Sequence, residues 1–154
     1  MRTTGGALYI GTSGWTYADW RRRFYPEDIA RKSWLAWYAT QFAATEINGS
    51  FYRTPSLESV AAWREATPAR FRFAWKASQF ITHWKRLRAP ESSLALLQTR
   101  LEALGPKCGP VLFQLPGRFH ADGDRLADFL ARLPGGYRYV FEFRHASWYE
   151  APIL

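Results

Sequence analysis

The 154-residue chain has one cysteine, Cys108, and only three histidines, His83, His120 and His145. A lone cysteine excludes an intrachain disulfide and any cysteine-only metal site. The histidines form neither an i, i+4 pair nor an HExxH motif, so a helical zinc site is excluded as well. There is no Walker loop; "GTSG" is too short for one and reads first as a strand-to-helix turn. No apolar run is long enough to span a membrane, and the opening "MRTTGGALYIG" lacks the core of a secretory signal, so a reducing cytoplasm is the expectation. Acids are outnumbered, 13 Asp and Glu against 21 Lys and Arg, and the net charge of +8 favours contact with polyanions. The basic residues are spread along the chain in "WRRRF", "ARFRF", "KRLR" and "YRYVFEFRH" rather than gathered in a tail.

What is present alternates. Short apolar runs predict strands beginning near Ala7, Ala44, Phe71, Gly109 and Tyr137. Between them lie helical stripes: Trp34, Leu35, Tyr38 and Phe42; then Leu57, Val60, Ala61 and Trp63 behind the N-cap candidate Ser56. A third helix opens at Pro90-Glu91-Ser92, carries Leu94, Leu97, Leu101 and Leu104 on one face and stops at Gly105-Pro106, and a fourth runs from about Asp124 to Leu133. Repeated βα units predict a parallel sheet, either doubly wound or closing into a (β/α) barrel.

Strand parity favours the barrel. A doubly wound sheet is covered on both faces and needs apolar residues on both, whereas barrel strands can turn polar groups toward an active-site mouth. One parity is polar here: Glu46 and Asn48 in the second strand, Arg72 and Lys76 in the third, Gln114 in the fourth, Glu142 and Arg144 in the fifth. These gather toward the C-terminal strand ends, where barrel enzymes place their chemistry. Lys76 and Arg144 are the expected partners of Glu46. A purely structural alternative is a neutral internal salt-bridge layer, although Asn48 and Gln114 add hydrogen-bonding groups that such a layer does not require.

The loops add aromatic and basic groups. "GTSGWTYADWRRRFYP" supplies Trp15, Tyr17, Trp20 and Tyr25 for stacking a planar ring or lining a mouth. "QFITHWKRLR" supplies Thr82, His83, Lys85, Arg86 and Arg88 around Trp84, a mixture suited to a phosphate or a nucleic-acid strand as well as to a solvated loop. Glu46, His83, Glu142 and His145 would make an oxygen and nitrogen cluster, but Lys76 and Arg144 beside them repel a cation, so no metal site is expected. Cys108, at the start of the fourth strand, reads as an inert thiol. No cofactor is named by these residues.

Together "GTSGWTYADW", "FYP", "YATQFAATEINGSFYRTPS", "AAWREATPARFRFAWKASQFITH", "GPVLFQLP" and "FEFRHASW" resemble the YecE-like family, a domain of unknown function, from about Gly11 to Trp148. The resemblance implies a TIM-barrel-like fold and carries no established reaction. Its recurrent positions fall on Gly14, Trp15, Tyr17, Trp20, Phe24, Tyr25, Glu46, Asn48, Phe51, Tyr52, Lys76, Thr82, His83, Gln114, Glu142, Arg144, His145 and Trp148. Its members are longer, so residues 1–154 are expected to form one domain: about the first five strands and four helices of a TIM-type barrel truncated at its C-terminus.

Two functions are compatible with this reading. The first is an enzyme acting on a phosphate-bearing or nucleic-acid-related substrate, with Glu46 or Glu142 as general acid or base, Lys76, Arg144 and the His83 loop holding the anion, and Asn48 and Gln114 orienting it. The second is a noncatalytic protein that holds RNA or DNA in the same cleft, with Trp15, Tyr17, Tyr52, Thr82 and His145 completing the surface. Two acids in a polyanion cleft argue for the enzyme.

Overall fold

Segments that alternate apolar and polar residues pair as strands, and segments with helical spacing pack against them. The computed structural model describes residues 6–150. In chain order the elements are β1 Gly11–Ser13, α1 Trp34–Gln41, β2 Ala44–Ile47, α2 Leu57–Glu65, β3 Arg72–Lys76, α3 Glu91–Leu104, β4 Cys108–Gln114, α4 Gly123–Ala131 and β5 Tyr139–Glu142. The helix ends follow local chemistry. The Ser56 hydroxyl accepts from the Ser59 N–H at the start of α2, and the Asp122 carboxylate accepts from the Arg125 N–H at the start of α4. Gly105 ends α3 in a positive-φ conformation that disfavours side chains.

The strands form one sheet in the order β1-β2-β3-β4-β5, every neighbour parallel. Right-handed crossovers in a sequential order leave all helices on one face, whereas a doubly wound sheet reverses its order midway. Burial agrees. Thr45 and Ile47, Phe73 and Trp75, Val111 and Phe113 lie in register and are buried. They pack in one core with Leu35 and Tyr38 of α1, Val60 of α2, the four α3 leucines and Phe129 of α4. Each such side chain contributes roughly 1.5–3 kcal/mol by leaving water. The opposite parity stays open, and Val140 is 47% exposed. The fold is therefore α/β with a one-sided, all-parallel sheet, the arrangement of one arc of a (β/α) barrel.

One expectation needs correction. The first strand does not begin near Ala7: Leu8, Tyr9 and Ile10 are exposed. The neighbouring strand begins only at Ala44, so the earlier residues have nothing to pair with beyond the Ile10 carbonyl, which accepts from Ala43 and Ala44. After β5 the last described element is a single 3-10 turn, Ala146–Tyr149.

Three further features position the loops. The aromatic residues after β1 form a ladder in which Tyr25 stacks on Trp34 at 4.3 Å and donates its hydroxyl hydrogen to the Trp15 carbonyl at 2.6 Å. After β3 the chain makes a π-helical turn, Phe80–Trp84, and then places Arg86, Leu87 and Ala89 at positive φ. Such backbone costs on the order of 1 kcal/mol or more per non-glycine residue. At the start of β4, the buried Lys107 ammonium donates to the carbonyls of Arg64 and Thr67, fixing the end of α2 against the sheet.

Backbones approach most closely at Gly11, where a Cβ would lie 1.8 Å from the Ala44 carbonyl oxygen. Gly11→Ala should therefore force β1 off the sheet and lower stability by about 1–3 kcal/mol. Chemical denaturation reads the loss, and hydrogen exchange should show the Gly14 amide, bonded to the Glu46 carbonyl at 2.9 Å, losing protection. Unchanged protection would mean that β1 tolerates the displacement.

Candidate functional site

The open face of the sheet carries its polar groups at the C-terminal strand ends. Register places Gln114 of β4 opposite Glu142 of β5, and the Gln114 amide donates to one carboxylate oxygen at 2.8 Å. Arg144, two residues beyond Glu142, donates through Nε to the other oxygen at 2.7 Å. The Glu142 carboxyl is consequently held below its ordinary value, chiefly by the Gln114 hydrogen bond; partial burial opposes this, and Arg144 and Lys76 add to it. Both oxygens are engaged, and these hydrogen bonds favour the carboxylate form of Glu142.

Lys76, at the end of β3, has no carboxylate partner among the described residues. Its ammonium lies 4.7 Å from the centre of the Phe51 ring. Phe51 is a hub: the His83 ring meets it edge-on at 5.1 Å and the Tyr52 ring at 5.0 Å. The π-helical turn points His83 at this cluster, and the fully buried Thr82 fixes it through a 2.9 Å hydrogen bond between its hydroxyl and His83 Nδ1. The His83 pKa is lowered, first by burial and then by the positive charges of Arg144 and Lys76. The cluster thus combines an imidazole whose protonation is disfavoured, an ammonium without a carboxylate partner among the described residues, and a guanidinium whose charge a single carboxylate balances.

Glu46 stands apart from this group. Its partner is the Ser13 hydroxyl, which donates to Oε1 at 2.5 Å across the β1–β2 register. Neither Lys76 nor Arg144 pairs with it among the described residues, and Arg144 is instead paired with Glu142. Asn48 also departs from the expected wall. β2 ends at Ile47, and Asn48 turns into a helical conformation. It lines a different cavity of about 430 Å³ with Trp15, Lys32, Ile47 and Trp63.

The aromatic and histidine candidates divide similarly. Trp15 is buried, meets Trp63 and Phe73 edge to face in the core, and also lines the cavity beside Asn48. Tyr17 and Tyr52 remain exposed. Thr82 is too buried to touch a ligand and acts through His83. His145 does not join His83; its ring lies on His120 at 3.8 Å, and its Nδ1 accepts from the Ser147 N–H. Burial raises the Cys108 thiol to about 11, keeping it protonated as expected of an inert residue. Among the described residues no three His, Cys, Asp or Glu side chains converge as metal ligands, and no helix is long and apolar enough to cross a membrane. Two contributors escape the parity argument, Ser13 and Phe51. A serine beside a carboxylate across a register cannot be read from one strand, although the pair Phe51-Tyr52 after a polar strand end is a signal in retrospect.

Two titrations test this electrostatic picture. The folded His83 pKa lies below the ordinary 6.5, so between those values the native state binds fewer protons than the unfolded chain. The stability His83 contributes is complete above 6.5 and is lost as pH falls through the folded value. Arg144→Met should move the His83 titration upward in proton NMR; no movement would leave burial and Lys76 as the causes. For Glu142 the folded value is again the lower one, so its contribution is complete above the ordinary carboxylate range and is lost on acidification through the folded value. Gln114→Leu should raise the Glu142 titration measured by carboxyl carbon NMR, and an unchanged value would discount the amide.

The sequence relationships are consistent with the fold. A family model described as "Protein of unknown function DUF72" matches residues 9–153. The UPF0759 protein YecE of Escherichia coli K12 is 34% identical over 146 residues, covering 92% of this chain and 50% of that protein. The UPF0759 protein YunF of Bacillus subtilis is 29% identical, covering 95% of this chain and 54% of that one. The chain spans about half the length of these relatives. Among solved structures, a DUF72 family protein, TM1631 from Thermotoga maritima, superposes with a TM-score of 0.80 at 28% identity, over 94% of this chain and 58% of its own. The chain belongs to the DUF72 family.

Proposed function

We propose that this sheet is one arc of a TIM-type (β/α) barrel whose mouth binds a phosphate-bearing small molecule and acts on it with His83 as general base. The observation that carries the reading is the meeting of the His83 imidazole and the Lys76 ammonium on the Phe51 ring, where Lys76 has no carboxylate partner among the described residues. An anion satisfies Lys76 and Arg144 together. With Nδ1 engaged by Thr82, His83 Nε2 is the nitrogen that faces the ligand, and a lowered pKa keeps it competent to accept a proton at neutral pH. Glu142 and Gln114 fix Arg144, and Glu46 with Ser13 offers a second hydrogen-bonding pair on the neighbouring strands. The sequential, one-sided sheet and the greater length of the relatives support barrel closure.

A second reading is a noncatalytic nucleic-acid binder. Trp84, 70% exposed, and Tyr52, 69% exposed, favour it, since open aromatic faces beside basic groups stack bases.

The two part company in a binding and turnover screen of the full-length protein against sugar phosphates, nucleotides and short oligonucleotides. For the enzyme, Lys76→Met should weaken a phosphorylated small molecule by roughly tenfold or more, the worth of a hydrogen bond to a charged group. His83→Gln should abolish turnover while leaving binding nearly intact, and the wild-type rate should rise with pH through the lowered His83 value. Tight oligonucleotide binding that weakens in Trp84→Ala, falls steeply with salt and ignores His83→Gln would sink the enzyme and leave the binder.

A further inference from the structure

Outside the sheet-face cluster, the loops after β3 and β4 enclose a hollow of about 290 Å³ whose charged lining is Arg86, Arg88, Arg118, His120, Asp122 and Arg125. One of its four guanidiniums is accounted for. Arg125 pairs with Asp122 at 2.7 Å and covers the Phe119 ring, and that carboxylate also caps α4. Arg86, Arg88 and Arg118 have no carboxylate within ion-pairing distance among the described residues, and all three are exposed. Like charges gathered on one hollow repel one another, an arrangement that becomes favourable when an anion occupies it.

The surroundings hold these groups in place. Leu87 is buried between Arg86 and Arg88, and its N–H donates to the Ile81 carbonyl at 2.9 Å, so the loop projects one arginine on each side of a fixed anchor. Three non-glycine residues in this short stretch keep positive φ, Arg86, Leu87 and Ala89. Backbone held in that region persists where the surroundings over-determine it, which occurs most at ligand clamps. On the opposite wall the Ala121 N–H donates to Ser147 Oγ at 2.8 Å, and the His120 ring lies tilted against His145 at 3.8 Å. Both walls are thus tied to the scaffold, and the guanidinium forks are free.

We infer that this hollow is a phosphoryl-anion site, taking a terminal phosphate or diphosphate group of a small molecule through Arg86, Arg88 and Arg118, with His120 as a further donor. Planar guanidiniums match phosphoryl oxygens in pairs, a geometry that lysine cannot reproduce. A Cβ at Gly117 would stand 4.0 Å from the Arg144 Cβ, so the site adjoins the cluster around Glu142 without sharing its ligand groups. The inference is independent of His83 acting as a base.

The three histidines report on the two places separately: His83 on the sheet-face cluster, His120 and His145 on the hollow. Proton NMR of the full-length protein titrated with inorganic pyrophosphate should move the His120 and His145 ring resonances along a saturable curve. Arg118→Gln and Arg86→Gln should each raise its dissociation constant roughly tenfold or more. Arg118→Lys, which keeps the charge and removes the fork, should weaken it severalfold, while Lys76→Met should leave the His120 curve unchanged and alter only the His83 response. Folding of each variant is checked by its thermal melt. Silent His120 and His145 resonances at millimolar pyrophosphate would overturn the assignment. So would equal losses from Arg118→Gln and from removal of a remote exposed arginine such as Arg70, or strong binding confined to oligonucleotides.

Discussion

Phe73, Trp75, Val111 and Phe113 face the helices and are excluded from water, while Lys76, Leu112 and Gln114 on the same two strands face the other way and are only half-buried. That division is imposed by the pleat, since successive side chains must alternate. Everything at the candidate site depends on it. The apolar parity supplies the burial that holds the strands in register, and register in turn sets Gln114 opposite Glu142 and Ser13 opposite Glu46. A slip of one residue in β4 would send Gln114 into the core and Phe113 into the cleft. The site is therefore as well defined as the core behind it.

This dependence explains what was legible in the sequence. The α3 leucines, the Ser56 cap, the Gly105 stop and the β2 to β4 alternation are short-range patterns, and each forms as read. The first strand was not legible in its extent, because "ALYIG" has strand character but its length is limited by where Ala44 begins, a fact of the neighbour. The site was legible as a set of strand-end residues and illegible as a set of pairs. Arg144 is expected beside Glu46, and the chain just past β5 instead brings it back onto Glu142, two residues earlier. Asn48 was assigned by extrapolating alternation one residue too far. Residue type suggests Trp15 and His145 as ligand contacts, and it does not foretell their packing against Trp63 and His120.

Local pairing also changes the balance of charge. With Arg144 matched by Glu142 and His83 held neutral, Lys76 is the charge of the cluster left without a partner among the described residues, and it rests on the face of Phe51. A cation against an aromatic ring is stabilised less than one against a carboxylate, so it remains available to an incoming anion. The two acids of this face are both occupied. Glu142 is spent on Arg144 and Gln114, and Glu46 sits with a serine.

Solvent sets the strength of these interactions. The Glu142 and Arg144 side chains are 40% and 52% exposed, so their attraction is screened and contributes little to stability in this arc. If the barrel closes as proposed, the same groups lose water on the side that now faces solvent, and the effective dielectric around them falls. The lowering of His83 by Lys76 and Arg144 would then deepen, because the coulombic contribution grows as screening fades and burial acts in the same direction. Glu142 would experience opposing changes, with stronger attraction from Arg144 set against a larger desolvation cost. Closure should thus separate the two groups further in character, leaving the imidazole more firmly neutral while the carboxylate depends increasingly on its hydrogen bonds from Gln114 and Arg144.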